Sequence, residues 1–288
     1  MPSFHLFVNP LAGRGRCLES ADAVTGVLRQ AGVPVQVTQS SGVDACRERA
    51  AEAVGNGQTV VAVGGDGMVR SVLAPVVDAG APLGIVPAGR GNDFARQLGL
   101  NSDPAIAAHV LLAGYTRSVD VIDAGGEYIA GSVYAGIDSL TSQIVNRGGI
   151  LPSSLHYPVA AVRALLAGHA SYFEVTVDGA RLERQAYMVV CANSGYYGSG
   201  MHIAPRASVD DGQLDVIIVD AASKINLLAR MPRLYTGSHL ELDIVTMLRG
   251  REVRIDSPDK VVAFGDGEPV GAVPVTARVR PEALTVLA

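Results

Sequence analysis

The sequence predicts two domains of different class. Residues 1–123 read as an α/β domain on a parallel sheet, and residues 124–288 as a mostly antiparallel β domain of sandwich type, whose C-terminal end can pack back on the first. Three observations lead there. Short apolar runs alternate with helical stripes over the first part of the chain, the pattern of βαβα units. Thr59 to Val63 is a continuous, largely apolar run, as in a strand covered on both faces. Beyond Asp123-Ala124-Gly125-Gly126 the apolar residues alternate with polar ones, and Asp-Gly pairs mark hairpin turns.

Taken in order, Phe4 to Val8 is a short strand ending at Asn9-Pro10. Val24, Val27, Leu28 and Ala31 follow helical spacing; Gly32 can close that helix, and Pro34 prevents its continuation. Val35 to Thr38 is the next strand, and Cys46, Ala50, Ala53 and Val54 form a second helical stripe. After the strand at Thr59 to Val63 comes a helix from about Met68 to Ala79, then a strand at Leu83 to Val86 and a helix from about Asp93. In the second domain Phe173, Val175 and Val177 alternate up to the turn Asp178-Gly179. Tyr187 to Ala192, Leu214 to Val219, Arg251 to Ile255 and Lys260 to Phe264 are further strands, with a second turn at Asp266-Gly267 and one helix at about Tyr157 to Ala167.

Composition excludes several classes. The net charge of −5 argues against a nucleic-acid binder. Lys224 and Lys260 are the only lysines, so a phosphate clamp must use arginine or backbone N–H groups, and no lysine-centred P-loop occurs. Cys17, Cys46 and Cys191 are scattered, which fits a reducing compartment rather than a disulfide framework. No apolar run reaches the ~20 residues needed to span a bilayer, and MPSFHLFVNP is not a signal peptide. The expected location is the cytoplasm, with any membrane contact peripheral and on the inner face.

Three glycine-bearing strings lie where strands hand over to helices. Gly64-Gly65-Asp66-Gly67 follows the buried strand directly. Ligands of open α/β sheets bind beyond the carboxyl ends of the strands, and glycines there let a phosphate reach backbone N–H groups. Asp66 then binds Mg²⁺ or accepts a hydroxyl proton; the structural alternative is a tight turn with Asp66 capping the next helix. In Pro87-Ala88-Gly89-Arg90-Gly91-Asn92-Asp93-Phe94-Ala95, Asn92 suits an N-cap and Asp93 the positive helix end. The functional reading has the helix N-terminus and glycines binding phosphate while Asp93 helps hold a metal. Asn9-Pro10-Leu11-Ala12-Gly13-Arg14-Gly15 is the third string; Leu18 stands where a dinucleotide fingerprint needs its last glycine.

These strings in this order resemble the diacylglycerol kinase catalytic-domain family, which includes sphingosine kinases and bacterial lipid kinases. The resemblance continues through Tyr134-Ala135-Gly136-Ile137-Asp138, through Asn193 to Ala207 with Asp210-Asp211-Gly212-Gln213-Leu214-Asp215-Val216, and to Asp266-Gly267-Glu268, covering essentially the whole chain. It implies an N-terminal nucleotide-binding domain, a C-terminal β-sandwich for the lipid, and an active cleft between them. It implies transfer of the γ-phosphoryl group of ATP to a lipid hydroxyl, diacylglycerol to phosphatidic acid, with Mg²⁺ as cofactor. By position, Asn9, Gly13, Thr38, Gly65, Asp66 and Gly67 contact ATP, and Pro10, Gly64, Arg90 and Asn92 complete the same loops. Asp66, Asp93 and Asp120 organise catalytic Mg²⁺. Glu268 is the general base, with Asp66 as its competitor, the assignment of the sphingosine-kinase branch. A second metal of structural character is implied at Asp211, with the carbonyls of Ser208 and Gln213. The expected partners are a lipid with a free hydroxyl, a membrane face at the periphery and a second copy in a homodimer, with no nucleic acid.

The chain departs from the family where Thr-x-Asn-Glu is usual after the first glycine loop. Met68, Val69, Arg70 and Ser71 stand there, and Arg90 replaces a threonine. Two alternatives follow: an NAD-kinase-like enzyme, which shares the GGDG element, and a catalytically weak nucleotide- or lipid-binding regulator. His156, His202 and His239 are too dispersed for a metal site, and Ser194 lacks a hydrolase context. Leu227, Leu228, Met231 and Leu234 with Arg230 and Arg233 read as core packing with solvated arginines or as a membrane-facing stretch, broken at Pro232.

Overall fold

The computed structural model describes residues 2–10, 15–146 and 153–288, with the backbone alone described for 153–156. The chain divides into two compact units, Met1–Asp120 with Pro281–Ala288, and Val121–Arg280.

The first unit alternates strand and helix. Its elements are β1 (Phe4–Val8), α1 (Arg16–Gln30), β2 (Val35–Gln39), α2 (Val43–Gly55), β3 (Thr59–Gly64), α3 (Asp66–Asp78) and β4 (Pro82–Pro87). Then come α4 (Asp93–Gln97), α5 (Pro104–Ala113) and the start of β5 (Thr116–Ala124). β1 pairs in parallel with both β2 and β3, and β3 pairs in parallel with β4. The strand order is therefore β2-β1-β3-β4. The end of the last strand, β15 (Val275–Leu287), returns to lie parallel to β4 through Thr285 opposite Pro82 and Val286 opposite Leu83. β1 is buried throughout and β3 from Val60 on, and both are largely apolar because helices cover the sheet. Helix α1 turns Cys17, Ala21, Val24 and Leu28 inward, one stripe at helical spacing, against Leu6, Val8, Val61 and Val63. Helix α5 starts where Asp103 accepts a hydrogen bond from Ala105 N at 2.8 Å, with Pro104 in the first turn.

The second unit contains β6 (Tyr128–Ile129), β7 (Ser132–Gly136), α6 (Ile137–Asn146), α7 (Ser153–Ala167), β8 (Ser171–Val177), β9 (Ala180–Ala192) and β10 (Leu214–Asp220). It continues with α8 (Lys224–Arg230), α9 (Arg233–Thr236), β11 (Val245–Gly250), β12 (Glu252–Asp256), β13 (Val262–Gly265), β14 (Glu268–Ala272) and the first part of β15. The long strand β9 belongs to both layers of an antiparallel sandwich. Its first half pairs with β8, which leads on to β12 and β15. Its second half lies between β7 and β10, which lead on to β13-β14 and to β11. Alternate residues fill the space between the layers: Phe173, Val175, Val189, Cys191, Val216, Ile218, Val253 and Ile255. The opposite face of the β7-β9-β10 layer carries Tyr134, Met188, Val190 and Ile217, and packs under Tyr197, Met201, Leu227 and Leu234.

Both Asp-Gly turns adopt the hairpin form expected. Asp178 and Gly179 have φ of 47° and 87°, and Asp266 and Gly267 have φ of 47° and 91°, positive at both central positions as a type I′ turn requires. Pro232 separates α8 from α9, as expected. Cys17, Cys46 and Cys191 are buried free thiols. Among the described residues, no helix is long and apolar enough to cross a membrane.

Candidate functional site

In the order β2-β1-β3-β4 the chain leaves β1 toward one edge and later resumes at β3 on the other side. The crevice for a ligand in such a sheet lies outside the carboxyl ends of the two strands where the order reverses. Those ends carry Asn9 and Pro10 after β1, and Gly64 to Gly67 after β3. Gly13 lies outside the described residues. Thr38, near the end of β2 and opposite Phe7 of β1, shares a 2.7 Å hydrogen bond with His5 Nε2. His5 is buried and stacked on Phe7 with ring centroids 4.5 Å apart, and burial lowers its pKa, so the ring is neutral near pH 7.

The loops after β3 and β4 touch backbone to backbone. A Cβ built on Gly89 would lie 2.4 Å from the Cα of Gly65, so glycine is required for this approach. The structure corrects the expected capping of α4. Asn92 occupies the N-cap position in the left-handed region, φ 53°, and its side chain does not cap the helix. Its Oδ1 accepts from Gly89 N at 2.9 Å and so closes its own loop, a local competition that Asn side chains commonly win. The cap comes from Asp66, whose carboxylate accepts from Asp93 N at 3.2 Å and Phe94 N at 3.0 Å. Asp66 does cap a helix, but α4 rather than its own α3, whose N-cap Gly65 has no side-chain bond. Asp93, buried, pairs with Arg96 at 2.6 Å. Asp120 is buried and accepts from Glu282 N at 2.8 Å, fastening the returning end of β15 within the same unit.

Two arginines flank the Gly89 loop. Arg16, the first residue of α1, reaches Gly89 O at 3.5 Å. Arg90 is exposed, and its guanidinium has no hydrogen-bond or ion-pair partner among the described residues. Arg16 was invisible to motif reasoning because it follows the glycine string rather than belonging to it.

In the second unit Glu268 opens β14 on the exposed side of the Asp266-Gly267 turn. The turn is held firmly. Asp266 accepts from the N–H groups of Ala130 at 3.0 Å, Gly131 at 3.0 Å and Ser132 at 2.9 Å, and Gly267 N donates to Tyr134 OH at 3.0 Å. The implied second metal position is organised differently. Asp211 accepts from Gln213 N at 3.0 Å and is salt-bridged to Arg249, while Ser208 Oγ donates to Asp210 at 2.5 Å. Asp215 binds the same arginine, at 2.8 Å.

An apolar cavity opens on the helical side of the sandwich. Met188, Met201, Val219, Leu227, Met231 and Leu234 line it, with Asp138, Arg230 and His239 as polar groups. Asp138 is buried, one of its oxygens has no hydrogen-bond partner, and burial raises its pKa from 3.8 to about 7, against a lowering from its bond with Tyr197. The native state thus binds this proton more tightly than the unfolded chain does, and Asp138 makes stability fall as pH rises from about 4 to about 7. Asp138→Asn is expected to remove that slope, gaining thermal stability over the wild type at pH 8 and little at pH 4. Parallel melting curves of the two proteins across this range check it.

Comparison with known proteins bears on these loops together. Residues 3–124 match the diacylglycerol kinase catalytic domain, and residues 131–288 match the YegS C-terminal NAD kinase beta sandwich-like domain. The chain belongs to the diacylglycerol kinase catalytic-domain family. It is similar to a diacylglycerol kinase of Mycobacterium tuberculosis, 32% identical over 287 residues, covering 97% of this chain and 93% of the relative. A diacylglycerol kinase of Bacillus subtilis is 25% identical over 281 residues, covering 95% and 92%. The crystal structure of a diacylglycerol kinase from Bacillus anthracis has the same fold, with a TM-score of 0.77 at 19% identity, covering 99% of this chain and 96% of that one. Membership makes the chain a kinase-type phosphotransferase.

Within the family, the departures after the first glycine loop are internal. Met68 and Arg70 are buried on α3, and Ser71 Oγ donates to Gly67 O at 2.8 Å. A Cβ on Gly64 would lie 2.9 Å from Met68 Cβ, so Met68 packs into room that the glycine leaves. Only Met68 exchanges a usual polar residue for packing, while Arg16 and Arg90 place cations beside the neighbouring Gly89 loop.

Proposed function

We propose that this family member transfers the γ-phosphoryl group of ATP to the hydroxyl of a lipid, converting diacylglycerol to phosphatidic acid. The observation that carries the lipid half is the apolar cavity of the second unit, whose lining of Met and Leu side chains suits an acyl chain. The nucleotide half is supported by the switch-point crevice of the first unit. There Asn9, Pro10, Thr38 and Gly64 to Gly67 are assigned to ATP, and Arg16, Arg90 and the Asn92 loop to its phosphates; Gly13 keeps the ATP role that the family resemblance implies. With only two lysines in the chain, arginine takes the phosphate charge.

The donor set of the first unit fits Mg²⁺. Carboxylate oxygens are its natural ligands, and it is commonly held by one or two carboxylates together with substrate phosphates and water rather than by an all-protein cage. Asp66 and Asp93, with Asp120 through water, are assigned to hold it. When bound, Mg²⁺ neutralises charge on the phosphates. The chain's own part is positioning: the glycine loops and helix ends orient the phosphates, and the arginines screen their charge. Glu268 is assigned to take the hydroxyl proton. Asp66 suits that role less well, because both its oxygens already accept N–H groups of α4.

Peripheral membrane contact is assigned to the α7–α9 face. Leu166, Ile225 and Tyr235 are exposed there, and Arg163, Lys224 and Arg233 give it a positive charge that the chain as a whole lacks, Arg230 being paired with Asp243.

The test is transfer of labelled phosphate from ATP to a panel of diacylglycerol, sphingoid base, monoacylglycerol and NAD, with the lipids in anionic or neutral vesicles. Expected are labelled phosphatidic acid, a faster rate in anionic vesicles, and a raised KM for ATP in Arg90→Ala with lipid dependence unchanged. Label appearing on NAD alone, or ATP consumed equally with and without lipid, would overturn the assignment.

A further inference from the structure

We infer that Arg249 serves as a built-in cation between Asp211 and Asp215, in place of the divalent metal implied for this turn, so that the second unit is held together there without a metal. Strand register makes the placement. Arg249 of β11 lies directly opposite Asp215 of β10 in the antiparallel ladder, a position from which cross-strand side chains meet. Its Nε donates to Asp215 Oδ1 at 2.8 Å, and the other arm of the guanidinium binds Asp211. A guanidinium fork is shaped to serve two carboxylates at once and keeps its charge at any working pH.

The acidic side chain a metal would need is already engaged. Asp211 Oδ1 accepts from Gln213 N, closing the turn on itself, and Ser208 turns its hydroxyl to Asp210. The side chain of Asp215 is 0% exposed and its Oδ2 has no hydrogen-bond partner, so this carboxylate depends on the neighbouring positive charge. Burial raises its pKa, with Arg249 the strongest opposing influence and Arg206 a weaker one.

The experiment is thermal unfolding of the full chain, without nucleotide, in EDTA and in millimolar Ca²⁺ or Mg²⁺, for the wild type and Arg249→Met. Expected is a wild-type Tm that is the same in chelator and in Ca²⁺. Arg249→Met should melt several degrees lower in EDTA and recover part of that loss in Ca²⁺, because two uncompensated carboxylates then need a cation. A wild type that loses several degrees on chelation would overturn the inference, as would an Arg249→Met protein indifferent to cations. If Arg249→Met does not accumulate as folded protein, Arg249→Met with Asp215→Asn removes the stranded charge together with its partner. Recovery of a cooperative transition in the double variant supports the inference, and a double variant no better than the single one overturns it. Nucleotide is left out because the catalytic assignment gives Mg²⁺ to the first unit together with substrate phosphates, and any cation binding there is common to the wild type and Arg249→Met, so that the difference between the two reports on this turn.

Discussion

Asp66→Asn is expected to fold, to melt within a few degrees of the wild type, and to turn over at least about a hundredfold more slowly. Asparagine keeps one acceptor oxygen and ranks close to aspartate as a helix cap, so α4 remains anchored. What disappears is a negative charge placed at the carboxyl edge of the sheet, where metal and phosphate charge must be balanced. Asp66→Ala separates the two duties, because it removes both bonds to Asp93 N and Phe94 N as well as the charge. It should lose turnover to a similar extent and about 1 kcal/mol of stability besides. Urea unfolding and steady-state kinetics on both variants check this. Near-normal turnover in folded Asp66→Asn would remove the loop from the catalytic assignment.

For Glu268→Gln the expected change is a kcat lower by roughly 10²- to 10⁴-fold, the usual worth of a general base, with the affinity for ATP unchanged. The substitution is nearly isosteric and exposed, and Asp266 holds the turn that carries it through three backbone N–H groups, so the fold should be unaffected. If Glu268→Gln keeps normal turnover while Asp66→Asn is inactive, the proton goes to Asp66 instead. The two variants therefore decide between the two carboxylates without further structure.

Much of the fold was legible because its signals are local. The apolar run of β3 betrays burial on both faces, the Asp-Gly pairs impose positive φ on adjacent residues, and Pro232 ends α8 by its ring alone. The family's loops were readable for the same reason, since glycine, proline and aspartate act on the backbone that carries them.

Partnerships between distant residues were not legible. Asp66 was readable as a cap, but its helix lies 27 residues along the chain, and only the adjacency of β3 and β4 brings the two loops together. Asn92, by contrast, carried a strong capping signal and lost it to its own loop. Arg16 and Gly89 meet across 73 residues, and Arg249 and Asp215 across 34, through strand order in one case and antiparallel register in the other. The apolar cavity is assembled from α6 to α9 and three strands, none of which encloses space alone. By itself the sequence determined the class of each domain and the backbone of its turns, because dihedral preference and periodicity belong to neighbouring residues. Which carboxylate caps which helix, which arginine answers which acid and where apolar walls leave room were decided by the tertiary structure, because those depend on the packing of elements far apart in the chain.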